Sequence, residues 1–227
     1  MNSTFQRALD RVRAINPVPW VIIFYIVGLL GLFFPFSRPL FIRLVPFTLL
    51  ASTLLVLIYH GPAARGFWWK AGLIFLAGLL VEMIGVNTGV VFGEYHYGAT
   101  LGLKLFGTPL IIGLNWFMLI YAVSVLVSGF TDDLYFRAVL ASVAMVAYDF
   151  VLEPAAIRLD MWSWDMVAVP LQNYIAWLLV SFVLSLFAAR SGLINKDNNV
   201  ARALFFIQFL FFLALDLAIS FGKLWEY

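Results

Sequence analysis

The chain has 227 residues, of which 64% are hydrophobic and only 11% charged, against about 45–50% apolar and about 25% charged in a soluble domain. A mean hydropathy of +0.99, with apolar runs of about 18 residues or more along the whole length, marks an integral membrane protein. Fourteen Lys and Arg against twelve Asp and Glu leave a scattered net charge of +2, which excludes a nucleic-acid footprint, and the lack of cysteine excludes thiol catalysis, disulfides and Cys-based metal sites.

Residues 1–17 are polar, with Phe5, Ala8, Leu9 and Val12 at helical spacing and Arg7, Arg11 and Arg13 on the other faces, which predicts a short interfacial helix. Pro17 and Pro19 open a first span, 18–36, too long for a signal-peptide core and without a small-residue cleavage site; it is expected to be a retained anchor. Further spans are predicted at 40–59, 67–92, 109–129, 134–152, 170–189 and 203–222, seven helices in all, each near the roughly 20 residues a bilayer requires. The expected fold is all-α: a polytopic seven-helix transmembrane bundle over 18–227, one domain behind the interfacial segment. Two connections, GEYHYGATLGLKLFGT (93–108) and EPAAIRLDMWSWDMVAV (153–169), are long and rich in Trp, Tyr, Gly and acids.

Nine of the fourteen basic residues (Arg7, Arg11, Arg13, Arg65, Lys70, Arg137, Arg190, Lys196 and Arg202) fall on the side of the N-terminus. Arg38, Arg43, Lys104, Arg158 and Lys223 fall on the other. The positive-inside rule therefore predicts N-in and C-out, with both long loops outside. No internal repeat of the kind carried by inverted-repeat transporters is visible.

A charge in hydrocarbon costs several kcal/mol, so an acid within a span is expected to face the bundle interior and to mark function. Glu82, Asp149 and Asp216 are such acids. At a rise of ~1.5 Å per residue, Asn87, Asn115, Asp149, Gln172, Asn173 and Asp216 all fall in the outer half of their spans, as a cavity open to one leaflet would require. Gly85, Gly89 and Gly93 recur every four residues, a small-residue face on which Glu82 also lies, so its carboxyl should point into a helix interface. Asp149 and Glu153 are four apart on one face, with Pro154 expected to end that helix. Interhelical hydrogen bonding alone would also account for a buried acid, and for Asp216 it is the stronger expectation. Most of the 23 Phe, 9 Tyr and 8 Trp are expected in interface belts and lipid-facing packing. Metal-binding spacing is absent, since no HxxxH or HExxH occurs and His60 lies across the membrane from Glu94 and His96.

A neutral carboxylic acid in an apolar, aromatic-lined pocket can protonate a carbon–carbon double bond. Ring faces stabilise the resulting cation, and a second carboxylate or a His deprotonates the attacking water. No nucleotide, thiol or metal is needed, and neither GxGxxG nor a P-loop is present.

Three blocks carry a family resemblance: EMIGVNTGVVFGEYHYGATLGLKLFGTPLIIGLNWFMLIYA (82–122), YDFVLEPAAIRLDMWSWD (148–165) and VPLQNYIAW (169–177). In the order and spacing of these motifs the chain resembles, over about residues 67–189, the carotenoid hydratase family of bisanhydrobacterioruberin hydratases and carotenoid 1,2-hydratases. The first, second and last spans are similar only in hydropathy. The resemblance implies cofactor-independent addition of water to the terminal 1,2 double bond of a lycopene-like or γ-carotene-like end group, giving a tertiary hydroxyl. It further implies a membrane-embedded carotenoid substrate, the bilayer and other carotenoid-pathway enzymes as partners, with no nucleic acid, in a prokaryotic plasma membrane.

Within that frame the residues suggest Asp149 or Glu82 as proton donor, and Glu94, His96 or Glu153 as the group that positions water. Tyr95, Tyr97, Trp116, Trp162 and Trp164 are candidates for binding the end group and stabilising the cation, with Asn87, Asn115, Asp165, Gln172 and Asn173 as further substrate-binding candidates. The polyene is expected between helices along the glycine face. Two enzymatic rivals, a lycopene-cyclase-type isomerase and a prenyltransferase, lack their acidic signatures here. A retinal protein would need a lysine midway along the last span, where only Lys223 stands at its end. A transporter or carotenoid-binding protein using buried acids for proton coupling stays open.

Overall fold

A computed structural model describes residues 7, 9, 11–166 and 168–221. Its helices are α1 (Val18–Phe33), α2 (Arg38–Arg43), α3 (Val45–Tyr59), α4 (Phe67–Thr88), α5 (Leu110–Val127), α6 (Leu134–Arg158), α7 (Leu171–Ser191) and α8 (Asn199–Ser220). Four short strands lie in the loops: β1 (Tyr95–Tyr97), β2 (Lys104–Leu105), β3 (Thr108–Pro109) and β4 (Trp162–Trp164). The N-terminal segment expected over 1–17 falls partly outside the described residues, as does Lys223; residues 11–13 are helical.

Five helices, α4 to α8, are long and apolar enough to cross a membrane. The other two predicted spans are realised as the shorter apolar helices α1 and α3. The span expected at 40–59 is broken at Leu44, between α2 and α3, because Pro46 lacks the N–H that would continue the ladder.

Capping sets several of the remaining boundaries. Asp133 Oδ1 accepts the Phe136 N–H at 2.7 Å and starts α6; Asn198 Oδ1 accepts the Ala201 N–H at 3.1 Å and starts α8. The expected span 67–92 stops at Thr88, because Gly89 takes φ +67° and its N–H returns to the Gly85 carbonyl at 2.8 Å, a left-handed glycine cap. Pro154 does not end its helix: α6 runs on through it to Arg158, and Asp216 of α8 lies against the α6 backbone at Ala155.

Hydrophobic on every side, α5 is buried almost throughout and serves as the hub. Helices α3, α4, α6, α7 and α8 pack around it, α6 and α7 form the most extensive pair, and α1 rests on α8. The glycines that allow close approach are not those of the predicted stripe. A Cβ at Gly78 would overlap Trp116 and one at Gly113 would press on Phe75 and Leu79, so these two glycines set the α4–α5 separation. Gly85 instead accommodates Phe92 and Tyr95 of the chain's own loop, and the glycine face is closed to a polyene.

The two long loops meet. Strand β1 pairs antiparallel with β4, Tyr95 opposite Trp164, His96 opposite Ser163 and Tyr97 opposite Trp162. Both loops thus share one end of the bundle, as the topology expected. At the other end the His60 ring stacks on Phe67 at 4.2 Å, and its Nδ1 shares a 2.6 Å hydrogen bond with the Tyr121 hydroxyl. That hydroxyl also accepts the Asn195 N–H, and Arg13 donates to the Ile58 and Gly61 carbonyls.

Burial first, and then the Arg13 charge, hold His60 below its usual pKa of 6.5. The unfolded chain therefore binds the His60 proton more readily than the folded one, and folding stability is lost as the pH falls below 6.5. Thermal unfolding in detergent is expected to show this loss between neutral pH and the lowered pKa. A His60→Gln variant should flatten that part of the profile; an identical profile would place the response elsewhere.

Candidate active site

Four elements bring their polar groups to one cavity beneath the β1–β4 ribbon. Glu82 comes from the last third of α4, Asn115 and Trp116 from the first turns of α5, Asp149 and Glu153 from one face of α6, and Asn173 and Trp177 from one face of α7, the last two four residues apart. Tyr95, Tyr97, Trp162 and Trp164 roof it. Strand alternation explains the roof: successive side chains point to opposite faces, so the four rings turn inward together. Tyr95 lies 5.1 Å from Trp164 and Tyr97 6.1 Å from Trp162 between ring centroids.

The same alternation sends Glu94, His96 and Asp165 outward. His96 Nδ1 pairs with Asp165 Oδ1 at 3.2 Å on the exposed face, with side chains 67% and 46% accessible, and Glu94 is exposed beside them. None of the three lines the cavity, so the expected water-positioning roles of Glu94 and His96 are not supported by their placement. Asn87 and Gln172 also lie outside it. Asn87 donates to the Met83 and Phe106 carbonyls and Gln172 to those of Gly89 and Val90, so both fasten loops. Asp216 lines neither this cavity nor its larger neighbour.

The three inward acids are buried and differ in their partners. Glu82 is saturated: Tyr95 and Tyr97 donate to Oε2 at 2.6 and 2.7 Å, and the Trp116 indole N–H to Oε1 at 2.8 Å. Glu153 accepts both roof indoles on Oε2, Trp162 at 3.0 Å and Trp164 at 2.9 Å. Asp149 accepts only the Asn173 amide, on Oδ2 at 2.7 Å. Its Oδ1 and the amide oxygen of Asn115 are buried with no hydrogen-bond partner among the described residues. Burial, and next the Glu82 charge, hold the Tyr95 and Tyr97 phenols above their usual range, so both stay protonated and act as donors.

The cavity measures about 30 Å3, room for water but not for an organic substrate. It adjoins an apolar cavity of about 310 Å3, and Ile112, Asn115, Leu152 and Trp162 line both. Trp177 was not singled out from the sequence, although it ends the block that carries Asn173. It stacks on Trp116 at 4.6 Å and completes the aromatic wall. Tyr25, Tyr148 and Gln208, linked by hydrogen bonds in the larger cavity, are too far apart in sequence to form a readable motif. Among the described residues no three His, Asp or Glu side chains are grouped to hold a metal ion.

A bisanhydrobacterioruberin hydratase of Haloarcula japonica is 35% identical over 124 residues, which cover 48% of this chain and 42% of that protein. The chain thus aligns with less than half the length of the curated relative it matches. No solved structure matches. The family described as carotenoid biosynthesis protein matches residues 44–226, a range that contains all three cavity acids, and the chain belongs to that family.

Proposed function

We propose that the protein is a carotenoid hydratase, adding water across the terminal 1,2 double bond of an acyclic carotenoid end group in a prokaryotic plasma membrane. One observation carries the reading: Asp149, with a buried, unpartnered carboxyl oxygen, lines a water-sized, aromatic-walled cavity that shares four lining residues with a large apolar one. The family and the hydratase relative support it.

In this mechanism Asp149 is the acid, since a carboxyl with one neutral donor and no cation beside it is the one that keeps its proton. Its proton passes to C2 of the end group and the double-bond electrons form the new C–H bond, which leaves a tertiary cation at C1. Glu82, engaged through both oxygens by three donors, is the fixed negative charge that faces this cation, and the roof rings add their π faces. Water held at the Asn115 amide oxygen attacks C1. Its surplus proton goes to Glu153, one helical turn from Asp149, and from there back to Asp149. The net change is one water added, with no electron transferred.

In lycopene-producing cells grown in heavy-oxygen water, the pigment is expected to gain one or two waters carrying the label; an unlabelled product of unchanged mass would point to cyclisation instead. Removing a general acid costs on the order of 10²–10⁴ in rate. Asp149→Asn should therefore lose at least about 100-fold in hydration at normal expression, with Glu82→Gln also severely impaired. Full activity in both variants would sink the mechanism.

A further inference from the structure

The acid cavity cannot hold a polyene, so the hydrocarbon must come through the larger one. That cavity is bounded by α1, α3, α5, α6 and α8. Its inner wall is buried, formed by Leu32, Ile112, Tyr148 and Leu152 among others. Its outer rim is not: Phe24, Val27 and Phe47 line it while 48%, 49% and 65% exposed, on the faces of α1 and α3 turned away from the core.

The cavity therefore reaches the lipid-facing surface along the seam between α1 and α3. These helices are anchored to other elements, α1 to α8 and α3 to α5 and α8, and the Tyr25–Ser52 hydrogen bond of 2.9 Å ties them across the seam. Small residues keep the seam open on both sides. Gly28 of α1 and exposed Ala51 of α3 line it, and a Cβ at Gly28 would meet only the Phe211 ring edge, at an ordinary 3.7 Å.

We infer that the α1–α3 seam is a lateral portal, through which one end of a linear, membrane-dissolved polyisoprenoid passes from the bilayer into the apolar cavity and up to the acids. This rests on the hydratase reading for the fate of the chain, but not for its passage. The volume of about 310 Å3 is that of a site for one small ligand. It takes the terminal isoprenoid units and leaves the rest of the molecule in lipid, so the two ends of a symmetrical polyene are processed in separate visits.

The test is polyene binding, read by visible absorbance of lycopene co-purifying with protein reconstituted in lycopene-containing liposomes. Three chains are compared: the unaltered protein, Gly28→Trp and, as a lipid-facing control on α7, Leu179→Trp. Leu179→Trp is expected to bind like the unaltered protein, whereas Gly28→Trp should bind about 10-fold less through steric filling of the seam. Ala51→Phe, which plugs from the α3 side, repeats the test should Gly28→Trp fail to fold by thermal unfolding and size exclusion. Normal binding by folded plugged variants, or no binding by the unaltered protein, overturns the portal. Polyene bound by the unaltered protein but never hydrated keeps the portal and overturns the hydratase reading.

Discussion

The structure depends on giving buried carboxyls their hydrogen-bond donors at membrane depth. An unpaired acid in hydrocarbon costs several kcal/mol, and α4 alone offers Glu82 nothing to offset it. The donors come from elsewhere: two phenols from the loop after α4 and one indole from α5. Three features follow from that requirement. Gly78 must be small for Trp116 to come close enough, Gly89 must turn the chain so that β1 doubles back, and β1 must keep its alternation so that Tyr95 and Tyr97 face the same way. Glu153 repeats the arrangement with two indoles from β4, and the pairing of β1 with β4 locks the two solutions together.

Much of this was legible in the sequence, and where it was not the physics is specific. Apolar runs reveal spans because a bilayer imposes a length, so the helices fell near their predicted places. Glu82, Asp149 and Glu153 stood out because acids are costly there, and helical spacing put Asp149 and Glu153 on one face. The loops were another matter. Whether His96 or its neighbours Tyr95 and Tyr97 turn inward depends on which partner strand they meet, a contact between loops distant in sequence. Without it, Glu94, His96 and Asp165 looked as suited to the cavity as the residues that line it. The glycine stripe misled for a related reason: a repeat of small residues signals close approach, but does not say whether a helix or the chain's own aromatic loop approaches. Pro154 was a sound stop signal that the tertiary context of α6 and α8 overrode.

The two cavities differ in size and in character. One is small, polar and ringed by aromatic edges; the other is ten times larger and apolar, and they share a wall that includes Asn115. For the proposed hydration, in which an alkene end group and a water molecule need opposite surroundings, this arrangement would let each be held in its own before they meet, and would limit how much water is within reach of the cation.

The paired β1–β4 ribbon also bears on how such a molecule comes to exist. Neither helical hairpin, α4–α5 or α6–α7, contains a complete chamber, because each carries its own acids and only half of the roof. Glu82 gains all three of its donors within the first hairpin, and Glu153 finds both of its own in the strand that follows α6. Asp149 finds Asn173 on α7, the second helix of its own hairpin. Each hairpin can therefore enter the bilayer with most of its acids already matched, and the joining of the ribbon becomes a late, long-range step. The closed chamber, with both halves of its roof, appears only when the two hairpins have come together.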